Sequence, residues 1–131
     1  MDLRKAFGTD RKAEEEGVWI NLGDGARIKV ARSSNKRYRE LIRRLLKPHR
    51  AAMRSDNLPD ETMEAIVIEA TAEALLLDWQ GIEFDGALLP YSVENAKKVL
   101  AALPDFRDAV ATYAGEMATF RAQAEQAELG N

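Results

Sequence analysis

The sequence has no cysteine and only one histidine, His49, in 131 residues. Without thiols the chain cannot form a disulfide, a thiolate metal site or a cysteine nucleophile. A single histidine leaves little from which to build a histidine-centred metal site or a catalytic triad. We therefore expect a non-enzymatic protein that has no catalytic residues, no metal and no cofactor.

Long hydrophobic runs are also missing. No stretch approaches the roughly 18 apolar residues of a membrane span, and Met1–Lys5 lacks the apolar core of a secretory signal. We expect an intracellular protein. Because 46% of the residues are hydrophobic, a chain of this length can build one sizeable core, and no second domain is implied.

Charge is segregated along the chain, although the formal net charge is only −3. Residues 27–54 contain 11 Lys and Arg against the single acidic residue Glu40. Residues 55–131 contain 4 Lys and Arg against 15 Asp and Glu. The basic segment could meet an acidic partner, or it could lie against the acidic half of its own chain. An internal or solvated basic face is the default expectation.

The N-terminal part of the chain shows two patterns. Residues 1–16 are polar, and the cluster Glu14–Glu16 disfavours an early buried element, so we expect a flexible arm. Residues 18–30 read as two short strands around the turn Gly23–Gly25. This hairpin has one apolar and one basic face. It should lie on helices or pair with the sheet of another chain, since two strands alone are marginally stable.

Helical periodicity dominates the rest of the sequence and predicts about four helices. They run from Ser33 or Ser34 to about Lys47, from Pro59 to about Trp79, from Ser92 to Leu103, and from Asp105 through a stripe that ends at Ala124. The fold class is therefore mainly α, within α+β: a small helical domain over residues 17–124. It has the N-terminal hairpin, a short hairpin-like loop at Asp85–Gly86 before the third helix, and a frayed tail at 125–131.

Apolar residues on the inner faces of these elements are the predicted core. They are Leu41, Ile42, Leu45, Ile66, Val67, Leu75, Leu77, Trp79, Val99, Leu100, Phe106, Val110, Tyr113 and Met117.

Two surfaces are candidates for partner binding. The first is the basic side of the first helix, formed by Arg39, Arg43 and Lys47. The second is the apolar loop that follows Trp79, in which core use is the better interpretation for Trp79 itself. The loop residues assigned to partner binding are Phe84, Leu88, Leu89 and Tyr91.

The basic segment 34–54 also allows a DNA-binding or regulatory protein, because Lys and Arg neutralise phosphates. Against this alternative, the predicted second helix carries Glu61, Glu64, Glu69 and Glu73, the wrong charge for entering a DNA groove. Glu69 and Glu73 also have the spacing of a carboxylate metal pair. With no histidine and no second pair beside them, a solvated face is the better interpretation.

Several short motifs occur in a fixed order from Trp79 onward. They are Trp79-x-Gly81-Ile82, Asp85-Gly86, Leu89-Pro90-Tyr91-Ser92, Glu94-Asn95-Ala96 and Leu103-Pro104-Asp105-Phe106-Arg107 before a long helix. In this respect the chain resembles tail assembly chaperones of long-tailed, siphovirus-type bacteriophages, most closely between about Leu75 and Phe120.

The resemblance implies a non-enzymatic protein made in the host cytoplasm and absent from the mature virion. Such a chaperone would bind the tape measure protein, help to recruit the major tail protein during tail morphogenesis, and self-associate. It implies no membrane partner. No binding residue is transferred from the family, so the candidate contacts depend on the surfaces described above.

Overall fold

The computed structural model describes residues 1–121. Its helices are α1 (Leu3–Phe7), α2 (Arg11–Glu16), α3 (Lys36–Leu46), α4 (Arg50–Arg54), α5 (Asp60–Ala74), α6 (Val93–Ala102) and α7 (Pro104–Gly115). A 3-10 turn covers Lys47–His49, and residues 117–121 are again helical. The strands are β1 (Val18–Gly23), β2 (Ala26–Val30), β3 (Leu76–Gln80), β4 (Glu83–Phe84) and β5 (Ala87–Leu88).

The predicted small domain of about four helices is wrong. The described chain is an α+β fold in which β1, β2 and β3 form an antiparallel sheet in that order. A separate two-stranded ribbon pairs β4 with β5. The hairpin predicted around Gly23–Gly25 is present, and it gains a third strand from a part of the sequence that helical periodicity had assigned to a helix.

The third strand, β3, replaces the last turn of the predicted helix from Pro59 to Trp79. Helix α5 ends when the backbone N–H of Leu75 donates to the carbonyl of Thr71. Leu76 then pairs with Val30 on β2. Short apolar runs fit a buried helix and a buried strand equally well, so periodicity alone could not decide. The pairing decides, because a two-stranded hairpin is marginal until a third strand and a packed face are added.

Both hairpins turn on an Asp-Gly pair with left-handed backbone. Asp24 has φ 54° and Asp85 has φ 53°, and each is followed by a glycine with positive φ. Two consecutive positive φ angles define the turn whose twist matches that of paired strands, and Asp-Gly is one of its preferred sequences. The local sequence therefore fixes both turns.

The N-terminal segment is folded as two short helices. Asp2 and Asp10 cap α1 and α2 by accepting from backbone N–H groups of the first turns. The expectation of no early buried element is wrong, because Ala13 is buried against Val18. The acidic residues of α2 do not prevent the burial of Ala13, because the Glu14 carboxylate forms an ion pair with Arg32. The predicted flexibility of residues 1–16 stays a prediction, and the predicted tail at 125–131 lies outside the described residues.

Helix α3 starts at a different cap from the one predicted. Asn35, not Ser33 or Ser34, accepts from the backbone N–H of Tyr38 at 2.9 Å. The Asn35 amide also donates to the carbonyl of Ala74 at 3.2 Å, which ties the start of α3 to the end of α5. The bond from Asn35 to the end of α5 favours Asn35 as the cap, and local sequence rules cannot predict a contact with so distant a residue.

The core lies between the inner face of the sheet and helices α5, α6 and α7. Ile28, Val30 and Leu76 from the sheet are fully buried, as are Leu100 of α6 and Val110 of α7. A smaller cluster joins α3 to α5. Of the predicted core, the buried members are Leu41, Ile66, Leu75, Trp79, Val99, Leu100 and Val110. The half-buried members are Ile42, Leu45, Val67, Leu77, Phe106, Tyr113 and Met117.

Helix α7 is shorter than predicted. It ends at Gly115, and Glu116 is extended, with φ −90° and ψ 127°. This break redirects the chain so that Phe120 is fully buried beside Ala13 and Val18. Asp105 lies in the first turn and is not the cap residue, which is Leu103. Ala124, the predicted end of the stripe, lies outside the described residues.

Candidate functional site

The basic stripe, defined as Arg39, Arg43 and Lys47, runs along the exposed side of α3. Residues four apart share one face of a helix, so the three cations stand one above another. The opposite side of α3 packs on α5, where Leu41 contacts the cluster of Ala70 and Ala74. Packing on α5 therefore turns the stripe outward.

The stripe has no carboxylate partner among the described residues. Of the basic segment 27–54, only Arg32 and Lys36 form ion pairs there, Arg32 with Glu14 at 2.7 Å and Lys36 with Glu40 at 3.8 Å. The Nε of Arg43 donates only to the carbonyl of Arg39, at 3.4 Å. Within residues 1–121, the carboxylates that follow residue 54 therefore form no ion pair with the basic segment.

Two carboxylates of α5 form ion pairs with cations of other helices. Glu69 of α5 lies 3.5 Å from the Nζ of Lys97 on α6, which also lies 3.8 Å from Glu94. Glu64 of α5 lies 3.5 Å from Arg107 on α7. Lys97 of α6 and Arg107 of α7 therefore pair with α5 on the side that faces away from α3.

A shallow depression of about 330 Å³ lies beside the basic stripe. It is lined by Ser33, Tyr38, Arg39, Ile42 and Arg43. Tyr38 and Ile42 are half-buried, and burial raises the pKa of the Tyr38 phenol above its ordinary value, an effect that a hydrogen bond with Thr71 opposes. The depression thus has a partly apolar floor and a rim with two guanidinium groups.

The loop after Trp79 is used mainly inside the molecule. The indole Nε1 of Trp79 donates to the carbonyl of Leu89 at 2.8 Å. The ring of Tyr91 meets the Trp79 ring edge-on at 5.2 Å, and its hydroxyl donates to the carbonyl of Leu76 at 2.8 Å. Burial, followed by the nearby Asp78 carboxylate, raises the pKa of Tyr91. These contacts of Leu89 and Tyr91 hold the loop against β3, and the assignment of both residues to partner binding stays a prediction.

Phe84 and Leu88 differ in exposure. Phe84 is half-buried against the main core, with the Nζ of Lys98 5.5 Å from its ring centroid. Leu88 is 68% exposed on the ribbon. Of the four loop residues assigned to partner binding, Leu88 is the one that presents a large apolar side chain to solvent. Leu88 does not line the depression beside the basic stripe.

Sequence reasoning missed that Ile42, Tyr38 and Ser33 border the same depression as the arginines. Ile42 was predicted only as a core residue. A signal was available, since Ile42 directly precedes Arg43 and lies three residues after Arg39, so its side chain stands at the edge of both faces.

Residues 1–121 contain no group of three or more His, Cys, Asp and Glu side chains placed to hold a metal ion. None of their helices combines the length and hydrophobicity needed to cross a membrane.

These features define a small α+β protein whose distinctive surface is the basic stripe, which forms no ion pair within residues 1–121, beside a shallow, partly apolar depression. A family model described as the YdaY prophage protein matches residues 33–131, and the chain belongs to this family. The protein is thus of phage origin. No curated protein and no solved structure matches the chain.

Proposed function

We propose that the protein is a non-enzymatic phage tail assembly chaperone, which binds the tape measure protein in the host cytoplasm and helps to recruit the major tail protein. Its prophage family supports a role in phage biology. The motifs between Trp79 and Arg107 support the tail assembly role through their resemblance to such chaperones.

The observation that carries the proposal is the state of Arg39 and Arg43. Both are exposed, neither has a carboxylate partner among the described residues, and both line the depression with Tyr38 and Ile42. An amphipathic helix docks by placing apolar anchors in a groove while its charged residues meet charges of opposite sign at the rim. Tape measure proteins are long helical chains with apolar stretches, and such stretches aggregate unless they are covered.

Leu88 supplies a second candidate contact. A single exposed leucine contributes little specificity by itself, but an apolar side chain on a ribbon edge adds contact area to a partner already held by charge. Phe84 packs on the core and thereby holds in place the ribbon that carries Leu88.

Co-purification with the tape measure protein encoded by the same prophage tests the proposal. The triple variant Arg39→Glu, Arg43→Glu, Lys47→Glu should abolish co-purification, because each substitution replaces attraction for acidic groups with repulsion. Leu88→Ser should weaken it less.

A matched control carries the same change in charge elsewhere. Arg4, Arg11 and Lys12 are exposed and form no ion pair within residues 1–121. The variant Arg4→Glu, Arg11→Glu, Lys12→Glu should retain co-purification. Equal loss in both triple variants would point to net charge alone, and retention in both would remove the basic stripe from the proposal.

DNA binding is the competing function, since the same cations could meet phosphates. Helix α5 argues against a recognition helix: it buries Ile66 and Ala70 on one side and presents Glu61 and Glu64 on the other. Affinity for duplex DNA that falls steeply with salt and is lost in the α3 triple variant would favour this function over the chaperone role.

A further inference from the structure

Strand β1 stands at one end of the three-stranded sheet. The strand order β1-β2-β3 places β2 along one of its edges, and within residues 1–121 no strand pairs with the other edge. The amides and carbonyls of an unpaired edge form a template on which a further strand can add. The open edge of β1 is therefore a surface that the proposed function does not use.

Hydrogen bonds at the end of β2 show which way its backbone groups point. The N–H of Ala31 donates to the carbonyl of Leu75, directly before β3, at 2.9 Å. The N–H of Arg32 donates at 2.8 Å to the carbonyl of Glu14, in the helix that leads into β1. Backbone groups alternate between the two edges of a strand, so those of Val30, two residues before Arg32, point toward β1.

The direction of Val30 identifies the residues of β1 that face the open edge. Val30 lies opposite Val18, and the next pairs follow in register as far as Asn21. Val18 and Ile20 therefore exchange hydrogen bonds with β2, whereas the N–H and C=O groups of Trp19 and Asn21 point outward. Within residues 1–121, no backbone hydrogen bond from outside the sheet reaches either outward residue.

The opposite end of the sheet is protected. Lys29 directs its backbone groups toward β3, as Ala31 does, and lies opposite Asp78. The neighbouring Trp79 therefore faces the outer edge, and its N–H donates to the Asp78 carboxylate at 2.8 Å. β1 has no such protection, because residues 18–22 contain neither a charged residue nor a proline, which commonly block an edge.

We infer that β1 pairs in antiparallel orientation with β1 of a second copy of the chain, so that two sheets become one continuous sheet. With Trp19 of each copy opposite Asn21 of the other, every outward N–H and C=O group of these residues finds a partner. On the inner face, Ile20 then lies opposite Ile20 of the second copy, and Leu22 lies opposite Val18. Leu22 is 41% exposed and gains a cross-strand apolar contact.

A second copy is the occupant because the edge matches itself. A two-fold axis at Ile20 brings the same groups together twice, as symmetric interfaces require. The inner side is apolar up to the axis, since Val18 packs on Phe120 and Ile20 packs beside them. The paired segment carries no charge, but Glu16 and Asp24 flank it and approach each other across the axis. Salt screens this repulsion, so pairing should tighten as salt rises, opposite to binding at the basic stripe.

Analytical ultracentrifugation of the full chain tests for the dimer. We expect a monomer–dimer equilibrium with a Kd on the order of 100 µM, because so short a contact lies at the small end of protein interfaces. Amide hydrogen exchange then locates the contact. The N–H groups of Trp19 and Asn21 should be protected in concentrated samples and exchange fast in dilute ones, whereas that of Ile20, bonded to β2, should be protected in both.

Asn21→Pro removes an outward N–H that the fold does not use, at an edge position where a strand tolerates proline. It should raise the Kd at least about tenfold, because each copy loses one hydrogen bond of the pair. Asn21→Thr keeps the N–H and is the matched control, with an unchanged Kd. Asn21→Lys places a charge at the contact and should also weaken the dimer, without restricting the backbone.

A dimer that persists in Asn21→Pro and Asn21→Lys, or that leaves the Trp19 and Asn21 amides unprotected, would overturn the inference, since another surface would then hold it. Equal weakening by Asn21→Thr would likewise contradict pairing through the backbone. A chain that stays monomeric at about 1 mM would also overturn it, and would leave the edge to an extended segment of another protein.

Discussion

The two sides of α5 make different kinds of contact with the neighbouring helices. Toward α6 and α7, Glu69 and Glu64 meet Lys97 and Arg107, so carboxylates and cations neutralise each other within the chain. Toward α3, apolar packing fills the contact, and the cations of the basic stripe point away from it. The side of α5 toward α6 and α7 is therefore joined to its neighbours by ion pairs, whereas the cations beyond its apolar contact with α3 have no carboxylate partner within residues 1–121.

The largest expected effect is the loss of stability caused by a substitution in the hydrophobic core. Leu100 is fully buried between the sheet and the helices. Leu100→Ala should lower the free energy of unfolding by about 2–5 kcal/mol, because it removes buried apolar contacts and leaves a cavity. Urea unfolding measures this loss, and Leu88→Ala, at a residue that is 68% exposed, is the matched control. Similar losses at both positions would contradict the assignment of core and surface.

A smaller effect is expected at the joint between the loop and β3. Tyr91→Phe removes the hydroxyl that donates to the carbonyl of Leu76, which should cost about 1 kcal/mol at neutral pH. The folded-state pKa of Tyr91 is raised, so its contribution is complete below the ordinary value of about 10 and is lost as pH rises through the folded pKa.

The difference in unfolding free energy between wild type and Tyr91→Phe should therefore shrink as pH rises above about 10. Denaturant unfolding at neutral and alkaline pH measures it. A difference that stays constant or grows with pH would show that the hydroxyl does not act through its proton.

The smallest effects compare the two sides directly. Glu69→Gln breaks a partly exposed pair and should cost up to about 1 kcal/mol, less in high salt. Arg43→Gln relieves repulsion from Arg39 and Lys47 and should change stability by no more than about 0.5 kcal/mol, in the stabilising direction. A larger loss of unfolding free energy in Arg43→Gln than in Glu69→Gln would mean that the basic stripe has a partner within the chain. That result would contradict the difference between the two sides of α5.

The sequence predicts local features of this fold well. The Asp-Gly turns, the end of the first predicted helix near Lys47 and the start of α6 at Ser92 depend on a few neighbouring residues, and the structure contains each of them. The position of the basic stripe is local in the same sense, since it requires only helical spacing.

Features that depend on distant partners were not predictable. The run Leu75–Leu77 satisfies a helix and a strand, and only the pairing of Leu76 with Val30 selects the strand. The contacts of Leu89 and Tyr91 with Trp79 depend on the place of Trp79 on β3, which the sequence pattern did not show. Their assignment to partner binding stays a prediction.

The order of the sheet has a consequence for how this protein can be shortened. The family match begins at residue 33, after both strands of the hairpin, yet β3 within the matched region pairs with β2 outside it. A truncated version that starts at residue 33 would expose the unpaired amides of β3 beside the apolar surfaces of Leu76 and Trp79. Such an edge is a template for aggregation, so expression trials should retain the hairpin.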